Sequence, residues 1–238
     1  KRNGYAIIKK SFKVMFDFSD KTILVTGGTG GIGSAVAALF DQFKGNVIVT
    51  NSKLANFKSN ESVARLLEEL PDIDIWVNCA GINTIDELDN IKEEDFDNIM
   101  QVNVKAPFLI AKHLSKHMKK QKSGKIVNIA SIWGDKTISK RLSYTTSKSA
   151  LIGMTKTLAV ELAKHNIQVN TVSPGFTNTK LTNSILTKAQ IKKLVSSVPM
   201  GRMANPDEIA RIVMFLCSSQ NTYITGQNII VDGGFSVT

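Results

Sequence analysis

A chain of 238 residues with 42% hydrophobic and 21% charged residues can bury a sizeable core as one domain, which excludes a disordered or low-complexity protein. The two cysteines, Cys79 and Cys217, lie in apolar runs and read as free buried thiols in a reducing cytoplasm, which excludes a disulfide framework. The formal charge of +10 comes from scattered lysines without a nucleic-acid motif beside them, and no apolar run approaches the roughly 20 residues of a membrane span, so neither nucleic acid nor membrane is expected as a partner.

Residues 1–16 are basic, contain no acid and carry Ile7, Ile8, Phe12, Val14 and Met15. They lack a compact apolar stretch or a small-residue cleavage pattern, so they suit a loose arm or docking segment better than an organelle transit peptide. Residues 1–18 are therefore set apart as an N-terminal arm or extension, and 19–238 as a single catalytic domain. Strands are predicted at Thr22–Thr26, Asn46–Thr50, Ile73–Asn78, Lys125–Ala130, Ile167–Ser173 and Asn228–Val231. Helices are predicted up to about Phe43, over Ser62–Leu70, over Glu93–Lys120 with a break near 103–107, and over Tyr144–Lys164. Strands apolar on both faces, alternating with helices, predict an α/β fold: one doubly wound parallel sheet with helices on both faces.

Thr26-Gly27-Gly28-Thr29-Gly30-Gly31-Ile32-Gly33 joins the first strand to the first helix. Glycines there permit a tight turn and close approach of backbone to a pyrophosphate, and the helix start offers unpaired N–H donors. Glycine turns also arise for steric reasons alone, but the strand–turn–helix setting favours a phosphate cradle.

Tyr144 and Lys148 stand at i and i+4 and share a helix face. Reducing a ketone leaves an alkoxide that needs a proton, and a free tyrosine, with a pKa near 10, gives one up reluctantly. Lowering that pKa to about 7 takes roughly 4 kcal/mol, which one cation about 4 Å away supplies at an effective dielectric near 20. Ser131 ends the fourth strand, where α/β sheets place ligands, and its hydroxyl could bond a substrate oxygen or merely cap a loop. Asn103, a poor helix former, could bend its helix and hold a water near the lysine, or be a simple kink.

These four residues match the Asn–Ser–Tyr–Lys tetrad of the short-chain dehydrogenase/reductase family, which the chain resembles from about Thr22 to Phe235. The glycine turn is similar to that family's Thr-Gly-x-x-x-Gly-x-Gly signature, Asn78-Cys-Ala-Gly81 to its Asn-Asn-Ala-Gly, and Pro174-Gly175 and Val231-Asp-Gly-Gly234 to its later turns. The resemblance implies a ketone–secondary alcohol oxidoreductase with Asn103, Ser131, Tyr144 and Lys148 as catalytic residues. It implies NADP or NAD held by Gly27, Thr29, Gly31, Ile32, Gly33, Asn51, Ser52, Lys53, Asn56, Asn78, Ala80, Gly81, Tyr144, Lys148, Pro174, Gly175, Thr177 and Thr179. The substrate would meet Ser131, Trp133, Tyr144 and Leu181. Reduction of a 3-oxoacyl group on an acyl carrier protein is the reaction most like it; dehydrogenation of a sugar, polyol or other small secondary alcohol, or a non-catalytic nucleotide-binding regulator, are the alternatives. A cytoplasmic homotetramer is the form the resemblance implies, helped by Leu151, Met154, Leu158 and Leu162 as apolar surface on the long helix.

The family usually fits a helix, a strand and another helix into the segment that is here only residues 51–71, so the first of those helices is expected to be short or missing. Asn56-Phe57 stands where the family's Asp-Val meets adenine. An acid after the second strand would bind the ribose of NAD. Asn51-Ser52-Lys53 stands there instead, and Lys53 could pair with a 2′-phosphate, which favours NADP even though Gly30 takes a position where NADP users often carry a base. His113 and His117 share a helix face but lack a third ligand, so no metal is expected. Asn205-Pro206-Asp207-Glu208 reads as a helix start. Lys180–Val198, with Leu181, Ile185, Leu186, Ile191, Leu194 and Val195 among lysines, reads as an amphipathic lid. With Lys136, Lys140, Arg141 and Trp133 it would form an apolar slot ringed by cations, suited to a greasy substrate with an anionic handle.

Overall fold

Runs rich in Val and Ile, each closed by glycine or a polar residue, form six strands in the computed structural model, which describes residues 16–179, 182 and 187–238. Of the expected arm over 1–18, residues 1–15 lie outside the described residues, as do Lys180, Leu181, Ile185 and Leu186 of the expected lid and substrate contacts, whereas Phe18 is buried in the core with Phe16 packed against it. The strands are β1 (Thr22–Thr26), β2 (Asn46–Thr50), β3 (Ile75–Asn78), β4 (Gly124–Ile129), β5 (Ile167–Pro174) and β6 (Asn228–Val231). All pair in parallel in the order β2-β1-β3-β4-β5-β6. The chain reverses direction across the sheet between β1 and β3, which opens a crevice at their C-terminal ends.

Seven helices cover the sheet among the described residues: α1 (Gly31–Gln42), α2 (Asn60–Glu69), α3 (Glu93–Met100), α4 (Ala106–Gln121), α5 (Leu142–Ala163), α6 (Lys188–Ser196) and α7 (Pro206–Cys217). Successive strand residues point to opposite faces, so each strand feeds two cores. Leu24, Trp76, Ile126 and Val169 pack under α2, α4 and α5, through Val63, Ile110, Met118 and Leu162. Ile23, Val25, Val77, Val127 and Val172 pack under α1 and α7, through Val36, Phe40, Ile209 and Val213. The doubly wound arrangement expected from the sequence is the one observed.

A chain of buried hydrogen bonds crosses the sheet inside this apolar frame. Register aligns Thr26 with Asn78, Asn78 with Asn128 and Asn128 with Thr171. Thr26 Oγ1 donates to Asn78 Oδ1 at 3.2 Å, Asn78 Nδ2 to Asn128 Oδ1 at 3.1 Å, and Asn128 Nδ2 to Thr155 Oγ1 at 2.9 Å. Thr171 Oγ1 donates to the same Thr155 oxygen at 2.9 Å, and Thr155 passes its own proton to the Leu151 carbonyl at 2.9 Å. The ladder ties β1, β3, β4 and β5 to the middle of α5.

Three expectations need correction. The helical stretch 93–121 does not break at Pro107. It widens into a π-helical segment at Gln101–Lys105, which turns the Asn103 side chain inward. In residues 51–71 a strand is missing as well as a helix, and only α2 remains; it starts at Asn60 because Ser59 caps it through the Ser62 N–H. β2 is therefore the sheet's edge. On α5, Leu151 and Leu162 are core residues, 1% and 2% exposed, and offer no free surface. Both cysteines are free, and burial pushes the Cys217 thiol far up. Among the described residues no helix is long and apolar enough to cross a membrane, and no cluster of His, Cys, Asp or Glu could hold a metal. His117 instead meets Asp72, at 3.0 Å.

Candidate active site

The glycine turn closes so tightly that side chains would not fit. Gly27 has φ +71°, and a Cβ on it would lie 2.7 Å from the Ala80 nitrogen. A Cβ on Gly33 would lie 2.3 Å from the Gly27 carbonyl oxygen, and one on Gly31 2.6 Å from the Thr179 side chain. The turn, the Asn78–Gly81 segment after β3 and Thr179 after β5 are thereby brought together. No side chain caps α1 at Gly30, so its first N–H groups remain for an anion. This cradle fits the pyrophosphate of a dinucleotide. Thr29 is exposed beside it and Ile32 packs partly against the core.

Beyond β2, Asn51 Oδ1 accepts the N–H groups of Lys53 and Leu54 at 2.8 and 3.1 Å, an Asx turn that leaves Ser52 and Lys53 exposed. Ser52, Lys53, Leu54 and Asn56 line a cavity of about 320 Å³ closed by α2 through Ser62, Arg65, Leu66 and Glu69, while Asn51 shapes the turn from outside it. Arg65 was not foreseen; its place became visible only when the shortened segment set α2 against the turn. Phe57 does not take an adenine-facing position: it is 8% exposed and belongs to the core under α2.

On the far side of the turn, Pro174 ends β5, and the Gly175 N–H donates to the Val231 carbonyl at 2.9 Å. A Cβ on Gly175 would strike Asp232 at 2.6 Å, which explains why the two family-like turns meet. Thr177 is buried and donates to the Gly175 carbonyl at 3.2 Å.

The tetrad residues converge at the ends of β3 and β4. Asn103 clamps the Ile82 backbone from both sides, accepting its N–H and donating to its carbonyl at 2.9 Å each, and donates to Ser147 Oγ at 3.0 Å. These bonds commit both N–H groups of the amide to protein oxygens, and Ser147 is a partner that sequence reasoning missed. A Cβ on Gly81 would sit 3.4 Å from both Asn103 Oδ1 and Lys148 Nζ, so these three share one small space. Lys148 Nζ donates to the Ile129 carbonyl at 2.7 Å and lies 5.6 Å from the centre of the Tyr144 ring. Burial pushes its ammonium down to about 8. The same burial pushes the neighbouring Cys79 thiol up to about 12.

Tyr144 differs from expectation in its electrostatics. Burial raises the phenol, and the groups that oppose this are the Ser131 hydroxyl and the Arg141 guanidinium. Lys148 shares the expected face, but its proton is directed at Ile129. Ser131 is buried in extended backbone and accepts the Trp133 N–H at 3.2 Å, starting a short turn over Ile132–Gly134. That turn sets Trp133 edge-on to Phe176 and Phe235, at 6.1 and 6.0 Å between ring centres. Of the cations expected around the slot, Lys180 lies outside the described residues and Lys188, Lys192 and Lys193 lie on α6. Lys140 pairs with Glu87 at 2.9 Å and Lys136 reaches the Thr238 carbonyl at 3.4 Å, which leaves Arg141 against Trp133.

The family model described as "Enoyl-(Acyl carrier protein) reductase" matches residues 55–236. A 3-oxoacyl-[acyl-carrier-protein] reductase of Rickettsia felis is 36% identical over 238 residues, which covers 92% of this chain and 98% of that protein. A solved short chain dehydrogenase/reductase family protein superposes with a TM-score of 0.87 at 30% identity, covering 93% of this chain and all 100% of that one. A provisionally assigned NAD(P)-dependent gluconate 5-dehydrogenase of Beutenbergia cavernae, with NADP bound at low occupancy, superposes with a TM-score of 0.89 at 27% identity, over 94% and 99% of the two chains. Sequence, sheet order and family match agree: the chain belongs to the short-chain dehydrogenase/reductase family and is an NAD(P)-dependent oxidoreductase.

Proposed function

We propose that the protein reduces a 3-oxoacyl group, presented as a thioester on an acyl carrier protein, with NADPH as hydride source. The observation that carries this is the convergence of Asn103, Lys148 and Gly81 in one space beside Tyr144, next to a glycine cradle with an uncapped helix start. The relative from Rickettsia felis bears the same activity in its name.

In this reading Gly27, Thr29, Gly31, Ile32 and Gly33 hold the pyrophosphate, and Asn78, Ala80, Gly81, Pro174, Gly175, Thr177 and Thr179 wall the nicotinamide end. The cofactor supplies a hydride. Ser131 and the Tyr144 hydroxyl orient the ketone oxygen, and Tyr144 gives the oxygen a proton as charge builds on it. In this reading Lys148 returns a proton to the phenol, and the burial that pushes its ammonium down to about 8 brings its proton loss near neutral pH. Asn103 acts as a positioning residue through the Ile82 backbone and Ser147. Lys53 and Arg65, both lining the cavity beyond β2, would meet a 2′-phosphate, which favours NADPH over NADH. The Beutenbergia protein with NADP bound supports that choice. The free cysteines fit a cytoplasmic setting. A homotetramer would cover Phe108 on α4 and Val160 on α5, which are 47% and 80% exposed.

The test is turnover of pure protein with NADPH and NADH against a ketone panel that includes an acetoacetyl thioester. Reduction of the thioester with NADPH is expected; oxidation of polyols or sugar acids alone would replace this substrate class with that of the gluconate relative.

A further inference from the structure

The wall beside Tyr144 carries a cation, Arg141, with no carboxylate partner among the described residues. Arg141 is the residue that caps α5, three before Tyr144, close enough for its charge to act on the Tyr144 phenol. Its guanidinium stacks 6.0 Å above the Trp133 ring, and Trp133 is tied to Ser131 by the 3.2 Å bond to its hydroxyl. Arg141 is thus fixed between the two residues proposed to grip the ketone oxygen and the aromatic wall of Trp133, Phe176 and Phe235. Its Nε is buried without a hydrogen-bond partner among the described residues. Lys140 and Lys136 have the partners named above, so of these cations Arg141 is the one left unpaired among the described residues.

A half-buried arginine held on an aromatic face, with no carboxylate partner among the described residues, is suited to receive an oxygen acceptor at its guanidinium. We propose that Arg141 recognises the acyl oxygen next to the reacting ketone, the thioester carbonyl or carboxylate at C1 of a 3-oxoacyl substrate, and so makes the enzyme prefer 1,3-dicarbonyl compounds to simple ketones. The two oxygens of such a unit are separated by one methylene between two carbonyl carbons. Arg141 and Tyr144, three residues apart at the start of α5, would take one oxygen each. The guanidinium charge also opposes the rise of the Tyr144 phenol, so the residue that selects the substrate also supports proton donation. This assignment rests on the reading that the ketone lies between Ser131 and Tyr144.

Two measurements test it, on the parent, Arg141→Met and Arg141→Lys; methionine keeps an unbranched stem over Trp133. The first compares kcat/KM for an acetoacetyl thioester, for acetoacetate and for a simple methyl ketone. In Arg141→Met the fall for the dicarbonyl substrates should exceed the fall for the simple ketone at least tenfold, mainly in KM, with partial recovery in Arg141→Lys. A deeper fall for acetoacetate than for the thioester identifies a carboxylate as the natural acceptor, and the reverse identifies the thioester carbonyl. Equal falls on all three substrates overturn the assignment. The second measurement follows Trp133 fluorescence while the cofactor-free protein is titrated with malonate; the other tryptophan, Trp76, is fully buried and gives a constant background. If the parent reduces no 3-oxoacyl compound, the proposed substrate is wrong, and malonate still decides Arg141: a response lost in Arg141→Met retains it, and no response in the parent removes it.

Discussion

The two ends of the crevice are held in different ways. At the catalytic end, partners come from far along the chain: Thr26 reaches Asn78, Asn78 reaches Asn128, and Asn103 reaches Ser147, each pair buried. Beyond β2, the backbone is held by neighbours: Asn51 bonds Lys53 and Leu54, Asn56 bonds Lys58, and Leu54 stands 70% exposed. Buried, long-range bonds are costly to break and hold reacting groups in place, whereas exposed local turns change at little cost. The difference teaches that the residues proposed for the chemistry are tied to the fold, while those proposed for cofactor choice lie in a segment free to vary.

Tyr144→Phe breaks the chemical side of the comparison most deeply. It removes the proton and keeps the ring, so kcat should fall by about 10²–10⁴-fold while cofactor affinity stays within a few fold. Steady-state rates and a fluorescence titration check both, and retention of more than a tenth of parental kcat would take Tyr144 out of the central role.

Lys148→Met comes next, with a slower reaction in steady-state assays. Stability carries a second signature. Burial holds this ammonium down to about 8 in the fold, against an unfolded value near 10.4. Between those values the unfolded chain binds more protons, so the parent should gain stability as pH rises through that window, and the penalty is fully present below it. Urea denaturation from pH 7 to 10.5 should show this gain in the parent and not in Lys148→Met.

A matched pair of substitutions sharpens the structural side. Thr155→Val strips the acceptor shared by Asn128 and Thr171 and should cost about 1–3 kcal/mol. Asn56→Ala, in the exposed turn, should stay within about 0.5 kcal/mol. Equal losses in chemical denaturation would erase the contrast. The smallest effect belongs to Lys53→Glu, which should turn a preference for NADPH into one for NADH with kcat nearly unchanged; a parent that binds both equally defeats the idea.

What could be read from sequence follows the same division. The glycine turn was legible because close backbone approach is written directly as residue type: a Cβ on Gly27 would lie 2.7 Å from the Ala80 nitrogen, so only glycine fits. Tyr144 and Lys148 were legible because helical periodicity alone puts them on one face. The ladder was not, since which of many buried polar residues pair depends on strand register over about 50 positions, and no local pattern encodes that. Leu151 and Leu162 were misplaced because an apolar helix stripe looks the same whether it faces a neighbouring subunit or its own sheet. Arg141 was noticed as charge, but its isolation depended on Lys140 finding Glu87 across the fold.

The ladder has a consequence for how such a protein can change over generations. A single substitution at Asn78, Asn128, Thr155 or Thr171 strands a partner in the dry interior, while a concerted exchange for apolar residues of similar shape can be nearly neutral. The effects of two such changes should therefore be strongly non-additive. A lineage could leave this arrangement only by crossing an unstable intermediate, so these residues would persist by descent even in relatives whose substrate had long since changed.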